Sequence, residues 1–216
     1  MDPFRLCVAL GPVAIYLLLV GTLNLFRRPF LVSGTRDTAV LGVAVSGLVL
    51  VGPVELLMPV AASIRFGPVV WALLIGLYFT VLAALLLFLR PRLVIYNIAR
   101  EELRPILADL AIDLDEEARW AGDCLVLPSL GVQLYLECSG AFRNVSLVSA
   151  GGVQNHQGWA TLEETLETAL RRLEVARNSR GFSLLSAGIL LALILVFSVA
   201  ADPQAAARSL IEVINL

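Results

Sequence analysis

Long uncharged apolar runs dominate the chain and are broken once by a polar stretch. Residues 6–26, 66–89 and 181–201 form three such runs of 21, 24 and 21 residues. A helix rises about 1.5 Å per residue, and roughly 20 apolar residues cross a hydrocarbon core of about 30 Å, so each run suffices to span a bilayer. A fourth run, 38–64, is apolar except for Glu55, which Pro53 and Pro59 flank. Prolines are tolerated in membrane helices because neighbouring helices satisfy the freed carbonyls, and a kink or early unwinding is expected here. The pattern predicts transmembrane helices at 6–26, 38–62, 67–89 and 181–201, the second and third joined as a tight hairpin around Arg65. The first run exceeds the ~7 to 15 apolar residues of a signal-peptide core and lacks an A-x-A site before Arg27 and Arg28, which marks it as a retained helix.

Between 90 and 180 the periodicity changes to that of a small folded domain. Leu93, Val94, Ile95, Tyr96, Asn97 and Ile98 form a short, partly β-branched run after Pro91, suited to a buried strand. Leu103, Leu107, Leu110 and Leu114 then recur at helical spacing, with Pro105 acceptable only near the helix start. Residues 120–127 and 132–138 read as two strands of a hairpin around Pro128, Ser129, Leu130 and Gly131, and 144–150 as a third. In 132–138, Val132, Leu134, Leu136 and Cys138 share one face while Gln133, Tyr135 and Glu137 share the other, the signature of a half-buried strand. A last helix is expected from Thr161, which with Glu164 fits a capping box, and its buried stripe is Leu162, Leu166, Ala169, Leu170 and Leu173.

The expected fold is therefore a membrane α-helical protein of four transmembrane helices plus a small cytoplasmic α+β two-layer domain. That domain, β-α-β-β-β-α over 90–180, is inserted between helices three and four. In the tail, 202–216, Asp202 and Pro203 read as an N-cap and first helical residue, with Ala207, Leu210, Ile211 and Ile214 on one face of a short amphipathic helix.

Composition agrees with this organisation. Hydrophobic residues make up 58% of the 216 and charged residues 16%, whereas soluble domains average roughly 45 to 50% and about 25%. Alternating spans place Arg27, Arg28, Arg36, Arg90, Arg92, Arg177 and Arg180 on one side and Arg5, Arg65 and Arg208 on the other. This bias puts the first group and the domain in the cytoplasm and both termini outside, in a cell membrane of bacterial type. All 16 basic residues are arginine, and a net charge of -2 without a basic tail gives nucleic acid no purchase.

Candidate chemistry is sparse. Glu55 is the one ionisable residue inside a span, and such residues often mark ion or substrate paths. Counted from Thr38 it falls roughly 26 Å in, near the outer interface, where pairing with Arg65 or Arg5 is the competing structural role. The most site-like stretch is the polar loop 151–159, whose Gly151, Gly152, Gln154, Asn155, His156, Gln157 and Trp159 precede a helix N-terminus and make it a candidate ligand or partner loop. It lacks the P-loop and dinucleotide signatures. His156 is the single histidine and has no metal-spaced neighbours, so no metal or cofactor is expected. Cys7, Cys124 and Cys138 match no zinc, redox or nucleophile motif, although a 124–138 disulfide is conceivable if the hairpin aligns the two. Small residues at four-residue spacing, Gly42 with Ser46 and Ser183 with Ala187, suit close helix packing.

The leading expectation is thus a non-enzymatic integral membrane protein in contact with lipid, whose cytoplasmic domain binds or regulates a protein partner, or self-associates. Two alternatives remain open: an oligomeric transporter or channel subunit using Glu55, and a membrane enzyme using His156 as acid or base.

Overall fold

The structure, a computed structural model, describes residues 3–54, 68–139, 143–152, 154–175, 178 and 181–214. The chain divides into two compact units. The first comprises Met1–Gly21, Thr38–Phe88 and Ser183–Leu216, and the second Thr22–Asp37 and Leu89–Phe182.

Four helices are long and apolar enough to cross a membrane: Pro3–Leu25, Gly34–Gly52, Val69–Phe88 and Gly181–Ala201. They belong to α1 (Pro3–Leu25), α2 (Gly34–Val49), α3 (Pro68–Phe88) and α6 (Gly181–Ala201). Their outward surfaces are apolar, with Leu73, Leu85, Val196 and Phe197 well exposed, a covering that suits hydrocarbon rather than water. Small residues set how closely these helices approach. A side chain at Gly21 would meet the Leu185 backbone, one at Gly188 would meet Leu18, and one at Gly47 would strike the Val8 carbonyl. Gly42 faces Leu82, and its carbonyl accepts a hydrogen bond from the Tyr78 hydroxyl at 2.7 Å. A π-helical turn, Leu50–Val54, continues α2 at the segment that holds Pro53, where distortion was expected. Beyond α6, the Asp202 carboxylate accepts from the Ala205 amide at 2.9 Å and caps α7 (Pro203–Ile214), as the Asp-Pro sequence predicts.

The second unit is a six-stranded antiparallel sheet with helices on one face. Its strands are β1 (Phe30–Ser33), β2 (Arg92–Tyr96), β3 (Arg119–Ala121), β4 (Cys124–Leu127), β5 (Val132–Ser139) and β6 (Asn144–Ser149), in spatial order β1-β2-β6-β5-β4-β3. Helices α4 (Arg100–Leu114) and α5 (His156–Arg171) cover the sheet. Ile95, Leu125, Leu134 and Leu147 from the strands meet Leu103, Leu107, Leu162 and Leu166 from the helices, all fully buried. Burial of each such leucine contributes about 2 kcal/mol.

Three features differ from the sequence expectation. First, β1 comes from the connection between α1 and α2, outside 90–180. It pairs with β2 in the register Phe30↔Tyr96 to Ser33↔Leu93, which brings Leu31 against the core beside Ile95. Second, the expected strand 120–127 is two strands. Gly122, at φ +64, opens a two-residue turn with Asp123 and folds β3 back on β4, a conformation glycine adopts without steric cost. Third, α5 begins at His156, five residues before Thr161. Asn155 is its N-cap, its side chain accepting from the Gln157 amide at 2.9 Å, while the Thr161 hydroxyl donates to the Gln157 carbonyl. Gly158 and Trp159 extend the buried stripe of Leu162, Leu166 and Leu170 backwards by a turn, which favours the earlier start.

Gly158 packs so tightly that a β-carbon there would collide with the Leu130 carbonyl oxygen, whereas Gly152 has open space around it. Gly158→Ala is expected to destabilise the protein by about 1 to 3 kcal/mol through overpacking, and Gly152→Ala to leave stability nearly unchanged, as read by chemical denaturation of the detergent-solubilised chain.

Candidate functional site

The loop singled out by sequence is built into the fold. Gly151 takes φ +85, and Gln154 ties the loop to β5 and α5. The Gln154 carboxamide oxygen accepts from the Gln133 amide at 3.3 Å and from the Trp159 indole at 2.8 Å. Its nitrogen donates to the carbonyls of Gln133 and Ala150. The Asn155 amide donates to the Gly131 carbonyl at 3.0 Å. Thus Gln154, Asn155 and Trp159 spend their polar groups on folding, since buried donors and acceptors left unpaired are costly. Gly151, Gly152, His156 and Gln157 are exposed, the last two in the first turn of α5. A shallow groove of about 260 Å³ adjoins the loop, lined by Val126, Gly131, Gln133, Gln154 and Asn155 among others. Val153 lies outside the described residues.

A second polar node lies at the end of α4. Asp115 is buried, and its carboxylate accepts from the Ser129 hydroxyl at 2.8 Å, the Ser129 amide at 2.7 Å and the Glu117 amide at 2.9 Å. Burial pushes its pKa up, but hydrogen bonds from Ser129, Glu117 and Leu130 outweigh that and hold it below the ordinary carboxylate value. The node fixes the C-terminus of α4 to the β4–β5 turn. At the start of α4, the Glu102 carboxylate accepts from the Ala99 amide and from Arg143 at 2.8 Å.

A third group of polar residues surrounds β1 and was not picked out by sequence. Asn97, fully buried at φ +62, donates from its side chain to the Phe26 carbonyl, and its backbone amide donates to the Asn144 side chain at 3.2 Å. Buried Asn178 donates to buried Asn24 at 3.4 Å, and the Val175 amide donates to the Arg27 carbonyl at 2.8 Å. At the other end of β1, Asp37 accepts from the Tyr96 hydroxyl and pairs with Arg92 at 3.3 Å. Asparagine tolerates the left-handed conformation better than other side-chain-bearing residues, so the Tyr96-Asn97 step after an apolar run was the one available sequence signal. An open groove of about 400 Å³ lies along Leu25, Phe26, Arg27, Arg28, Pro29 and Phe30.

The remaining candidates are dispersed. Glu55 and Arg65 lie outside the described residues. All three cysteines are free. Cys124 pairs across the ladder with Tyr135 and Cys138 with Val145, a register that separates the two thiols and removes the conceivable disulfide. Asn178 is not helical, and α5 ends at Arg171, so the domain's last helix does not run on into α6 among the described residues. No group of three or more metal-ligating side chains occurs among the described residues.

Gln154→Leu should destabilise the fold by about 1 to 3 kcal/mol because it strands the Trp159 indole and the Gln133 amide, while His156→Ala should stay within about 0.5 kcal/mol in the same denaturation assay. The depressed Asp115 pKa means that ionisation of this group favours the folded state. Its contribution is full above the ordinary carboxylate range and is lost as pH falls through the lower folded value. Thermal melts at decreasing pH should show a smaller acid-induced loss of stability in Asp115→Asn, relative to that variant's own neutral-pH stability, than in the unmodified chain.

Compared with protein-family models, with curated proteins and with solved structures, the chain matches none, so its functional reading rests on its own residues.

Proposed function

We propose that this chain is a non-enzymatic, multi-pass membrane protein whose four spans anchor the α+β unit on the cytoplasmic side, where it binds or regulates a protein partner. The observation that carries this reading is the outer face of the sheet at β4, β5 and β6. The helices bury one face, and on the other Val126, Gln133, Tyr135, Glu137 and Val148 are exposed or half-exposed, although Val94 and Tyr96 of β2 are buried on that side. Cys124, Tyr135 and Val148 form a row across β4, β5 and β6. A flat surface with a central aromatic, short aliphatic neighbours and a polar border has the composition of a protein interface. Cytoplasmic placement is supported by the seven-to-three arginine bias. It is also supported by the membership of Arg27, Arg28, Arg36, Arg90 and Arg92 in one compact unit.

A second reading, a small oligomeric carrier or channel subunit, draws on the π-helical turn Leu50–Val54 directly before Glu55, since such turns recur at functional sites. On that reading Glu55→Gln abolishes flux in liposomes.

Crosslinking and capture of the full-length chain from its native membrane, beside the double variant Val126→Asp with Tyr135→Asp, tests the leading reading. Partners of the unmodified chain should be lost from the variant while its melting temperature is retained. An identical set of captured partners would overturn the assignment of the sheet face, and protease protection of 90–180 in inside-out vesicles would overturn the orientation.

A further inference from the structure

We propose that the segment between α1 and β1 is a binding site for the headgroup of an anionic phospholipid, with Arg27 and Arg28 as the phosphate-recognising groups. The inference rests on the membrane reading above.

Charge is distributed unevenly within the α+β unit. Thr22–Asp37 together with 89–92 carries Arg27, Arg28, Arg36, Arg90 and Arg92 against the single acid Asp37, a net of +4. Residues 93–182 carry 8 arginines and 13 acids, a net of -5. The positive part borders the ends of α1, α2 and α3. In this protein the anionic counterpart of that border is the bilayer surface, because each of these helices is long and apolar enough to span it.

Among the five arginines of the positive part only Arg92 forms an ion pair, while Arg27, Arg28, Arg36 and Arg90 form none among the described residues, and of these four only Arg27 and Arg28 are adjacent in sequence. Arg92, Arg100, Arg143 and Arg171 each form an ion pair with a carboxylate, to Asp37, Asp123, Glu102 and Glu167 respectively. Arg27 and Arg28 are exposed and have no ion-pair partner among the described residues. A guanidinium presents several N–H donors in a planar fork that matches a phosphodiester, so two unpaired arginines in sequence are well suited to that group.

The backbone that carries them is fixed. Asn97 holds the Phe26 carbonyl, the Val175 amide holds the Arg27 carbonyl, Pro29 is buried, and Phe30 begins the β1–β2 ladder. Phe26 and Phe30, 56% and 46% exposed, bracket the two arginines along the groove of about 400 Å³. Adjacent arginines flanked in sequence by two exposed phenylalanines, just past the end of an apolar helix, match a lipid at the depth where headgroup meets acyl chain. Because the loop is already ordered by the domain, little conformational entropy is lost when the headgroup binds.

The test uses the full-length chain in nanodiscs of phosphatidylcholine mixed with phosphatidylglycerol, with native mass spectrometry counting the lipids retained on the protein. Retained phosphatidylglycerol should exceed its share of the bilayer, and retention should weaken at high salt. Each of Arg27→Gln and Arg28→Gln should lower the preference about fivefold and the pair on the order of 25-fold. Arg119→Gln, on the edge strand farthest from β1, should leave it unchanged. Equal retention of both lipids, or an equal loss in Arg119→Gln, would overturn the proposal. The two readings fail differently: a chain that does not enter the bilayer overturns the membrane reading together with this one, whereas a chain that enters without lipid preference overturns this one alone.

Discussion

The backbone ladder between β1 and β2 joins positions 60 to 66 residues apart in sequence, and the order of the α+β unit depends on it. Closing so long a loop costs only slowly growing entropy, but the pairing must wait until both partners exist and are positioned. All of α2 and α3 lies between them in the chain. The contacts that reinforce the ladder sit at its two ends. Asn97 and Val175 engage the Phe26 and Arg27 carbonyls at one end, and Asp37, past the other end of β1, pairs with Arg92 and accepts from the hydroxyl of Tyr96. The partners of these polar contacts come from distant parts of the chain, so the residues that follow α1 and those that follow α3 are both required for a completed sheet.

What could be read from the sequence follows from which signals are local. The four long apolar helices were legible because twenty uncharged residues have few other uses, and the α4 stripe because Leu103, Leu107 and Leu110 repeat at the helical period. The β1 strand was not legible, since four residues next to a membrane helix carry too little pattern to separate strand from flank, and only pairing with β2 decides it. The β3–β4 turn was marked by Gly122-Asp123, a recognisable turn pair overridden by the apolar residues on either side. At α5, a capping box at Thr161 competed with Asn155, and burial of Trp159 settled the contest in favour of the earlier cap.

The candidate site was legible only in part. Loop 151–159 was recognisable as polar and glycine-bearing, but sequence does not show whether an amide side chain faces outward or knits strands together. Gln154 does the latter. Conversely, Asn24, Asn97 and Asn178 are buried polar residues that meet only in three dimensions, and nothing in their spacing announces it. Arginine counts show that charge is unevenly distributed along the chain. They could not show which guanidinium groups already have carboxylate partners, a distinction that depends on tertiary contacts.

The position of β1 also bears on how the α+β unit can be studied apart from the long apolar helices. A fragment cut at the obvious composition boundary, 90–180, would begin its sheet at β2, whose Leu93, Val94, Ile95 and Tyr96 are all buried in the whole protein. Without Phe30–Ser33 that strand becomes an open edge of apolar side chains and unsatisfied amides, a template for self-association. Any water-soluble version of this domain needs residues 26–37 grafted back, for instance by a linker bridging Asp37 to Leu89, before its behaviour in solution reflects the intact sheet.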